Sequence, residues 1–162
     1  MAQSVFFSFQ YEPDNWRVQQ VMNMGAISGG SAFTPQDWEA VRYKTDAAIE
    51  KWIHEQMSYT KAVIVLVGAT TADSRWVKHE IIKGWNDKRP LLGVRIHNLL
   101  DRNGYSSTWG DNPFAAISMT GGGTMADYVE VINPGGGDSR AVYRTIQDNL
   151  EDWVKYRAYQ PS

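Results

Sequence analysis

A tryptophan and a glutamate spaced four residues apart stand in the segment of the sequence best suited to chemistry. Trp76 and Glu80 belong to the run Ser74-Arg-Trp-Val-Lys-His-Glu80. On a helix, residues four apart lie one above the other on the same face. A fixed carboxylate can stabilise positive charge, and an indole offers a flat surface to a ligand ring. The pair is therefore a candidate ligand site.

The same residues also have ordinary structural interpretations. Glu80 is close to Lys78 and Lys83 in the sequence, so it could be a solvated acid on a charged helix face. Trp76 could be a core residue, as most tryptophans are. The residues by themselves leave both alternatives open.

Two segments near the N-terminus carry further candidates. Ser8 and Phe9 end the apolar run Phe6-Phe-Ser-Phe, where Ser8 is either a binding residue or a small side chain at a crowded strand end. Asp14 is predicted to cap a helix that extends to about Met24. Arg17 follows in the first turn, either to bind a ligand or to form an ion pair with Asp14 or Glu12.

Hydrophobic patterns predict alternating strands and helices. A short apolar run before residue 10, the continuous run Lys61–Val67, the run Leu91–Ile96 and the run Tyr128–Ile132 read as strands. Two helices are predicted to begin near Asp14 and at Thr34-Pro35. Three further amphipathic helices are predicted from Ile49 to Met57, from Ser74 to Asn86 and from Val142 to Val154. In the helix from Ser74 to Asn86, the residues that face the core are Val77, Ile81 and Trp85.

This order of elements predicts an α/β fold. Strands that alternate with helices form a doubly wound, flavodoxin-like three-layer sandwich around a central parallel sheet. Ligands of such sheets bind beyond the carboxyl ends of the strands. The residues after Phe9, Val67 and Ile96 are therefore expected to line the site, and Trp76 with Glu80 should face it.

Composition narrows the class of protein. Hydrophobic residues make up 43% of the 162 residues and charged residues 21%, which is usual for a globular chain. A formal net charge of −2 argues against nucleic acid as a partner, because phosphate binding needs clustered Lys and Arg. The sequence has no cysteine and no apolar run of membrane-spanning length. We expect a single cytoplasmic domain over residues 1–162, without a membrane partner.

Several familiar sites are not supported. The sequence has neither a Gly-x-Gly-x-x-Gly turn nor a Walker lysine loop. The central strand ends in Val67-Gly68 rather than in the aspartate of a phosphoacceptor domain. His79 and Glu80 are adjacent and point in different directions on a helix, and His54 is expected to be a satisfied or exposed helical histidine. No metal site is predicted.

Taken together, these segments resemble the TIR domain family. Ser8-Phe9 is similar to the end of the family's opening strand, and Ser74-x-Trp76-Val77-x-x-Glu80 after Val63–Val67 is similar to its Ser-x-Trp-x-x-x-Glu motif. Further segments resemble a bacterial TIR-like family that includes the TIR protein of Thoeris anti-phage defence systems: Tyr11-x-x-Asp14-x-Trp16-Arg17, Ile96-His-Asn98-Leu99 and Gly110-x-Asn112-Pro-Phe114. The resemblance extends over roughly residues 4 to 155.

The resemblance implies an enzyme that cleaves nicotinamide from NAD, with Glu80 as the catalytic residue. NAD is the substrate, so no cofactor is expected. The product would be an ADP-ribose-derived signalling nucleotide that acts on a separate effector protein, and the enzyme would form a homo-oligomer on activation. The implied substrate-binding residues are Ser8, Phe9, Asp14, Arg17 and Trp76, with Trp76 or Phe9 stacking on a ring and Arg17 pairing with the diphosphate.

Some features stay outside this hypothesis. The segment 25–38 is glycine-rich and lacks the usual TIR loop signature, so its shape is not predicted. His97-Asn98 and Asn112–Phe114 match the family without a chemical role. One alternative function is a catalytically silent TIR-like module that signals by self-association or partner binding. Another is a sensor that holds a nucleotide without cleaving it.

Overall fold

The architecture is an α/β sandwich around a parallel sheet. A computed structural model describes residues 4–27 and 35–162. The strands are β1 (Val5–Ser8), β2 (Ala62–Val67), β3 (Leu91–Arg95) and β4 (Val131–Ile132), and the helices are α1 (Tyr11–Asn23), α2 (Pro35–Val41), α3 (Asp46–Ser58), α4 (Arg75–Asn86) and α5 (Ser139–Tyr156). Short 3₁₀ turns occur at Thr71–Asp73, Pro113–Ala116 and Met125–Asp127.

The sheet has the strand order β1-β2-β3-β4, and every pair is parallel. Ser8 pairs with Val65, and Val67 pairs with Arg95. The carboxyl ends of the three longer strands therefore lie along one edge of the sheet. This is the edge at which the sequence predicts the ligand site.

Helices cover both faces of the sheet. All residues of β1, β2 and β3 are buried, as expected for parallel strands covered on two sides. Helix α1 contacts α5, and α3 meets α4 through His54 and His79. Gly84 lets α4 approach the sheet, because an added Cβ would lie only 3.0 Å from a methyl group of Val63. The predicted doubly wound, flavodoxin-like fold is confirmed.

Most of the predicted elements are present within a residue or two of their expected ends. The strand expected at Lys61–Val67 is β2, and the helix expected at Ser74 is α4, with Ser74 as its N-cap. The cap expected at Thr34 and residues 28–34 of the glycine-rich segment lie outside the described residues. No helix within the described ranges is apolar and long enough to cross a bilayer.

Two predictions about local structure were wrong. Asp14 does not cap α1: the helix begins at Tyr11, and Asp14 lies buried in its first turn. Pro13 fits in the first turn of α1 because an N–H at that position would have no partner within the helix. The strand expected from Tyr128 is reduced to β4, because the N–H groups of Tyr128 and Val129 both donate to the Met125 carbonyl and close a turn.

Substitutions at a buried and at an exposed isoleucine test how much the core contributes to the free energy of unfolding. Ile64 on β2 is fully buried, whereas Ile82 on α4 is 37% exposed. Ile64→Ala should lower the free energy of unfolding by about 2–5 kcal/mol, because it removes buried methyl groups and leaves a cavity. Ile82→Ala is the matched control and should cost less than about 1 kcal/mol. Urea unfolding of both variants measures the difference, and equal losses would contradict the assigned core.

Candidate functional site

A buried serine–glutamate pair joins the first strand to α4. Ser8 is the last residue of β1 and Glu80 lies in the second turn of α4, yet the Ser8 hydroxyl donates a 2.6 Å hydrogen bond to Glu80 Oε1. Ser8 is fully buried and Glu80 is only 4% exposed. Ser74 sets where α4 begins, because its hydroxyl accepts a hydrogen bond from the Val77 N–H. Glu80 is therefore held at the carboxyl edge of the sheet.

Burial changes the acidity of this carboxyl group. Loss of solvent around the carboxylate raises the pKa of Glu80 from 4.5 to about 8, and the Ser8 hydrogen bond opposes that rise. The resting side chain is mainly protonated at neutral pH. Glu80 is thus not the solvated acid on a charged helix face that was its structural alternative. A strongly perturbed acid at a strand edge is a common property of functional sites.

The aromatic residues beside the pair have different environments. Phe9 follows Ser8 directly and is packed in the core at 7% exposure. Trp76 is partly buried, and its indole meets the His79 ring edge-on at a centroid distance of 5.7 Å. The Arg75 guanidinium lies 4.5 Å from the Trp76 ring centre. The Trp76 indole is therefore oriented by neighbours on its own helix.

Asp14 and Arg17 meet in a buried ion pair. Arg17 Nη1 lies 3.3 Å from Asp14 Oδ1, and both side chains are almost fully buried. Arg17 also donates to the carbonyls of Leu99 and Tyr105 at 2.8 Å each. These contacts tie α1 to the segment that follows β3. The structure favours the ion-pair alternative for Arg17, because its guanidinium is occupied by the protein itself rather than turned toward a diphosphate.

Asp14 keeps one oxygen unsatisfied. Its Oδ2 has no hydrogen-bond partner within residues 4–27 and 35–162. Desolvation raises the pKa of Asp14 to about 6, against the lowering effect of Arg17. The carboxyl group presses on the end of β2, where a Cβ added at Gly68 would lie 2.1 Å from Oδ2. Only glycine fits at this position, so Asp14 lies at the carboxyl edge that the sequence predicted, although not as a helix cap.

A second polar cluster at this edge had no predicted chemistry. Arg95 ends β3, donates to the Gly110 carbonyl at 2.7 Å, and lies 3.6 Å from the Trp109 ring centre. His97 meets Trp109 edge-on and is buried, with its Nδ1 unpartnered among the described residues. Burial first, and then Arg95 and Arg17, lower the pKa of His97. The position of His97 just after a strand did place it at the expected edge, whereas Arg95, inside the strand run, had no sequence signal of its own.

The Asn112–Phe114 segment has a structural role. The Asn112 side chain accepts a hydrogen bond from the Phe114 N–H at 2.9 Å and caps the short turn Pro113–Ala116. Phe114 is fully buried in the core. The segment therefore holds the chain that follows Trp109 against the sheet. The Asn112 cap and the buried Phe114 ring thus give this segment a structural role, which the sequence did not reveal.

The parallel sheet, the strand-edge pair and the Ser-x-Trp-x-x-x-Glu helix define a TIR-like α/β domain. Comparison with known families agrees: the model of the family described as "Thoeris protein ThsB, TIR-like domain" matches residues 6–101. The chain belongs to this Thoeris ThsB TIR-like family. The family assignment predicted from the sequence is thereby confirmed.

One curated relative is similar over much of the chain. It is a protein of Bacillus cereus (strain MSX-D12) named "Putative cyclic ADP-D-ribose synthase ThsB1", 32% identical over 119 residues. The match covers 70% of this chain and 62% of the relative. The matched part thus spans under two thirds of that protein's length.

The pKa of Glu80 predicts how stability depends on pH. The folded protein has a Glu80 pKa of about 8 against an ordinary value of 4.5, so between these values the folded state binds more protons than the unfolded state. Its contribution to the free energy of unfolding therefore falls as pH rises from about 5 to about 8. Glu80→Gln keeps the neutral shape and should gain stability over the wild type at pH 9, on the order of a few kcal/mol.

Urea unfolding of both proteins at pH 5 and pH 9 measures this difference. The Asp14 carboxyl group titrates in both the wild type and Glu80→Gln, so its contribution to the free energy of unfolding cancels when the two proteins are compared. An equal difference at the two pH values would show that Glu80 is not desolvated.

Arg17 is predicted to be a structural residue. Arg17→Ala leaves Asp14 without its counter-ion and the carbonyls of Leu99, Tyr105 and Pro13 without this donor, and should cost about 3–5 kcal/mol of unfolding free energy. Arg75→Ala is the matched control, because Arg75 is 64% exposed in its ion pair with Asp46 and should cost less than about 1 kcal/mol. Thermal and urea unfolding measure both changes. Similar losses for the two variants would contradict the role assigned to Arg17.

Proposed function

We propose that this chain cleaves the bond between nicotinamide and ribose in NAD, with Glu80 as the catalytic carboxylate. The observation that carries the proposal is the buried hydrogen bond between Ser8 and Glu80 at the carboxyl edge of the sheet. This edge is where open parallel sheets bind nucleotides. The name of the Bacillus cereus relative, "Putative cyclic ADP-D-ribose synthase ThsB1", supports the same chemistry here.

A single carboxylate suffices for this reaction. Nicotinamide is bound in NAD as a cationic pyridinium and leaves as a neutral amide, so the general acid of ordinary glycosidases is not needed. The remaining requirement is to stabilise the positive charge that develops on the ribosyl carbon. An ionised Glu80 does this strongly, because its surroundings contain little solvent to weaken the interaction.

Substrate binding would itself ionise the resting Glu80. A pyridinium near the carboxyl group favours the charged form and lowers its pKa. The hydrogen bond from Ser8 then stabilises the carboxylate in a fixed position. The enzyme would therefore keep a neutral, stable carboxyl group at rest and charge it only when a cationic ligand enters.

We further propose that the acceptor lies within the substrate. The bond from the ribosyl carbon to the pyridinium nitrogen breaks, and a nucleophilic atom of the adenosine half forms a new bond to that carbon. One proton leaves to solvent, and nicotinamide and a cyclic ADP-ribose are the products. Such a nucleotide would serve as the signal to a separate effector protein in Thoeris defence, and self-association of this chain would accompany activation.

Loss of the carboxylate tests the proposal. Incubation of NAD with the wild-type protein, alone and in lysate from phage-infected bacteria, should release nicotinamide and an ADP-ribose product that mass spectrometry identifies. Glu80→Gln should lower the rate by roughly 100-fold or more, because one charge is lost at the reacting centre. Glu55→Gln on α3, an exposed residue, is the matched control and should keep the wild-type rate.

The outcomes separate three functions. A cyclic product supports the proposal in full. Linear ADP-ribose would support NAD cleavage by Glu80 but would show that water, rather than an atom of the substrate, is the acceptor. Intact NAD under every condition, together with unchanged signalling by Glu80→Gln, would identify a silent interaction module.

The pH profile gives a second test. Because Glu80 must be ionised and its pKa is about 8, kcat/KM should rise with pH through an apparent pKa near 8. Ser8→Ala removes the hydrogen bond that lowers this pKa, so its profile should shift to higher pH. Rates of nicotinamide release from pH 5 to pH 10 measure both curves. A flat profile in the wild type would exclude Glu80 as the titrating group.

A further inference from the structure

Three side chains of types that often bind metals come together between α3 and α4, away from the Ser8–Glu80 pair. Glu50 and His54 are four residues apart and share one face of α3. His79 extends toward them from α4. One ligand atom from each of the three lies within 4.8 Å of the others, and the two histidine Nε2 atoms are 2.9 Å apart.

The two imidazole rings are aligned for a shared ligand. Their planes differ by only 6° and their centroids are 5.1 Å apart. Since the Nε2 atoms are much closer than the centroids, these nitrogens lie between the rings and face each other. The contact is a hydrogen bond from one Nε2–H to the lone pair of the other. Two imidazole nitrogens with a carboxylate beside them are ligand types that Zn²⁺ and related transition metals bind.

The charges around the cluster permit a cation. The nearby Arg75 is paired with Asp46 at 2.6 Å, and Lys83 is paired with Asp87 at 2.8 Å. Both cations are therefore paired with carboxylates of their own. Glu50 is exposed and lines an open groove together with His54. A hydrated ion can reach the histidines from this groove.

We propose that Glu50, His54 and His79 bind a divalent transition-metal ion of the Zn²⁺ class, which links α3 to α4. Two imidazoles and one carboxylate are three protein ligands, and the groove leaves a fourth position for water. Zn–N bonds of about 2.05 Å in a tetrahedron separate the two nitrogens by about 3.3 Å. The two nitrogens must separate by less than half an ångström, and each imidazole must tilt by about 35° so that its lone pair points at the ion instead of at the other ring.

Binding also needs a change of tautomer in one ring. The proton that now bridges the two Nε2 atoms moves to Nδ1 of its own imidazole, so both Nε2 lone pairs face the ion. No bond to carbon changes and no oxidant is required. The ion would hold α3 against the α4 turn that carries Glu80, while remaining outside the substrate site because His79 and Glu80 point in different directions.

The three ligands of this site come from two separate helices, so residue spacing in the sequence could not reveal it. Glu50 and His54 form a Glu-x-x-x-His pair, but the third ligand comes from a different helix 25 residues further on. The sequence analysis predicted no metal and treated His54 as an ordinary helical histidine. The proposal does not depend on NAD cleavage, because its test measures metal binding directly.

Metal titration of the untagged, chelator-treated protein tests the site. Calorimetry with ZnCl₂ should show one ion per chain, and Co²⁺ should give the visible absorption of a low-coordinate site. A hundredfold excess over Kd should raise Tm by roughly 5–10 °C. His54→Ala and His79→Ala should each weaken binding at least tenfold, and Glu50→Gln should weaken it less.

Glu55→Gln is the matched control, because Glu55 lines the same groove without belonging to the cluster, and its affinity should equal that of the wild type. Circular dichroism checks that the histidine variants are folded, and His54→Gln replaces His54→Ala if the latter is not. Binding that survives His79→Ala, or a wild type that binds no Zn²⁺ at 100-fold molar excess, would overturn the proposal and leave a histidine–histidine hydrogen bond.

Discussion

The hydrogen bond between Ser8 and Glu80 is the constraint on which the proposed chemistry of this domain depends. It joins residues 72 positions apart and sets a carboxyl group into an environment almost without solvent. Burial raises the pKa of Glu80, so the folded protein carries a neutral acid where an exposed glutamate would be charged. The same burial makes the ionised form a strong electrostatic partner for a cation, since little water competes with it.

The surroundings of this pair are built from buried polar groups rather than from apolar packing alone. Asp14 and Arg17 connect the first turns of α1 to the backbone beyond β3, and Arg95 connects the end of β3 to Gly110. Each bond satisfies a group that would be costly to bury alone. The result is a rigid carboxyl edge, in which the ends of three strands and their loops are joined by side chains from distant parts of the chain. Rigid support is what an electrostatic site requires, because its charges must not reorganise during reaction.

Helix α4 serves two parts of the molecule through two adjacent residues. Glu80 points into the sheet edge and His79 points toward α3, because neighbouring helical positions differ in direction by about 100°. Gly84 lets the helix lie close to the sheet. Because both side chains belong to this one helix, a displacement of α4 would move them together. A contact that fixes α4 against α3 would therefore also stabilise the position of the Glu80 carboxyl group. This arrangement links the proposed metal cluster to the proposed catalytic site physically, although neither needs the other to be present.

The sequence by itself determined the order of the elements, the buried central strands and the amphipathic helices, because these depend on local periodicity and capping. It also indicated Ser8, Asp14 and Glu80 as residues of one site, because Ser8 ends a strand and the other two lie on helices that follow strands. Only the tertiary structure decided which side chains meet there: that Ser8 bonds Glu80, that the Arg17 guanidinium is occupied by two carbonyls, and that His54 faces His79. These pairings depend on how separate helices and strands are rotated against one another. That rotation follows from the packing of the whole core, which no local pattern encodes.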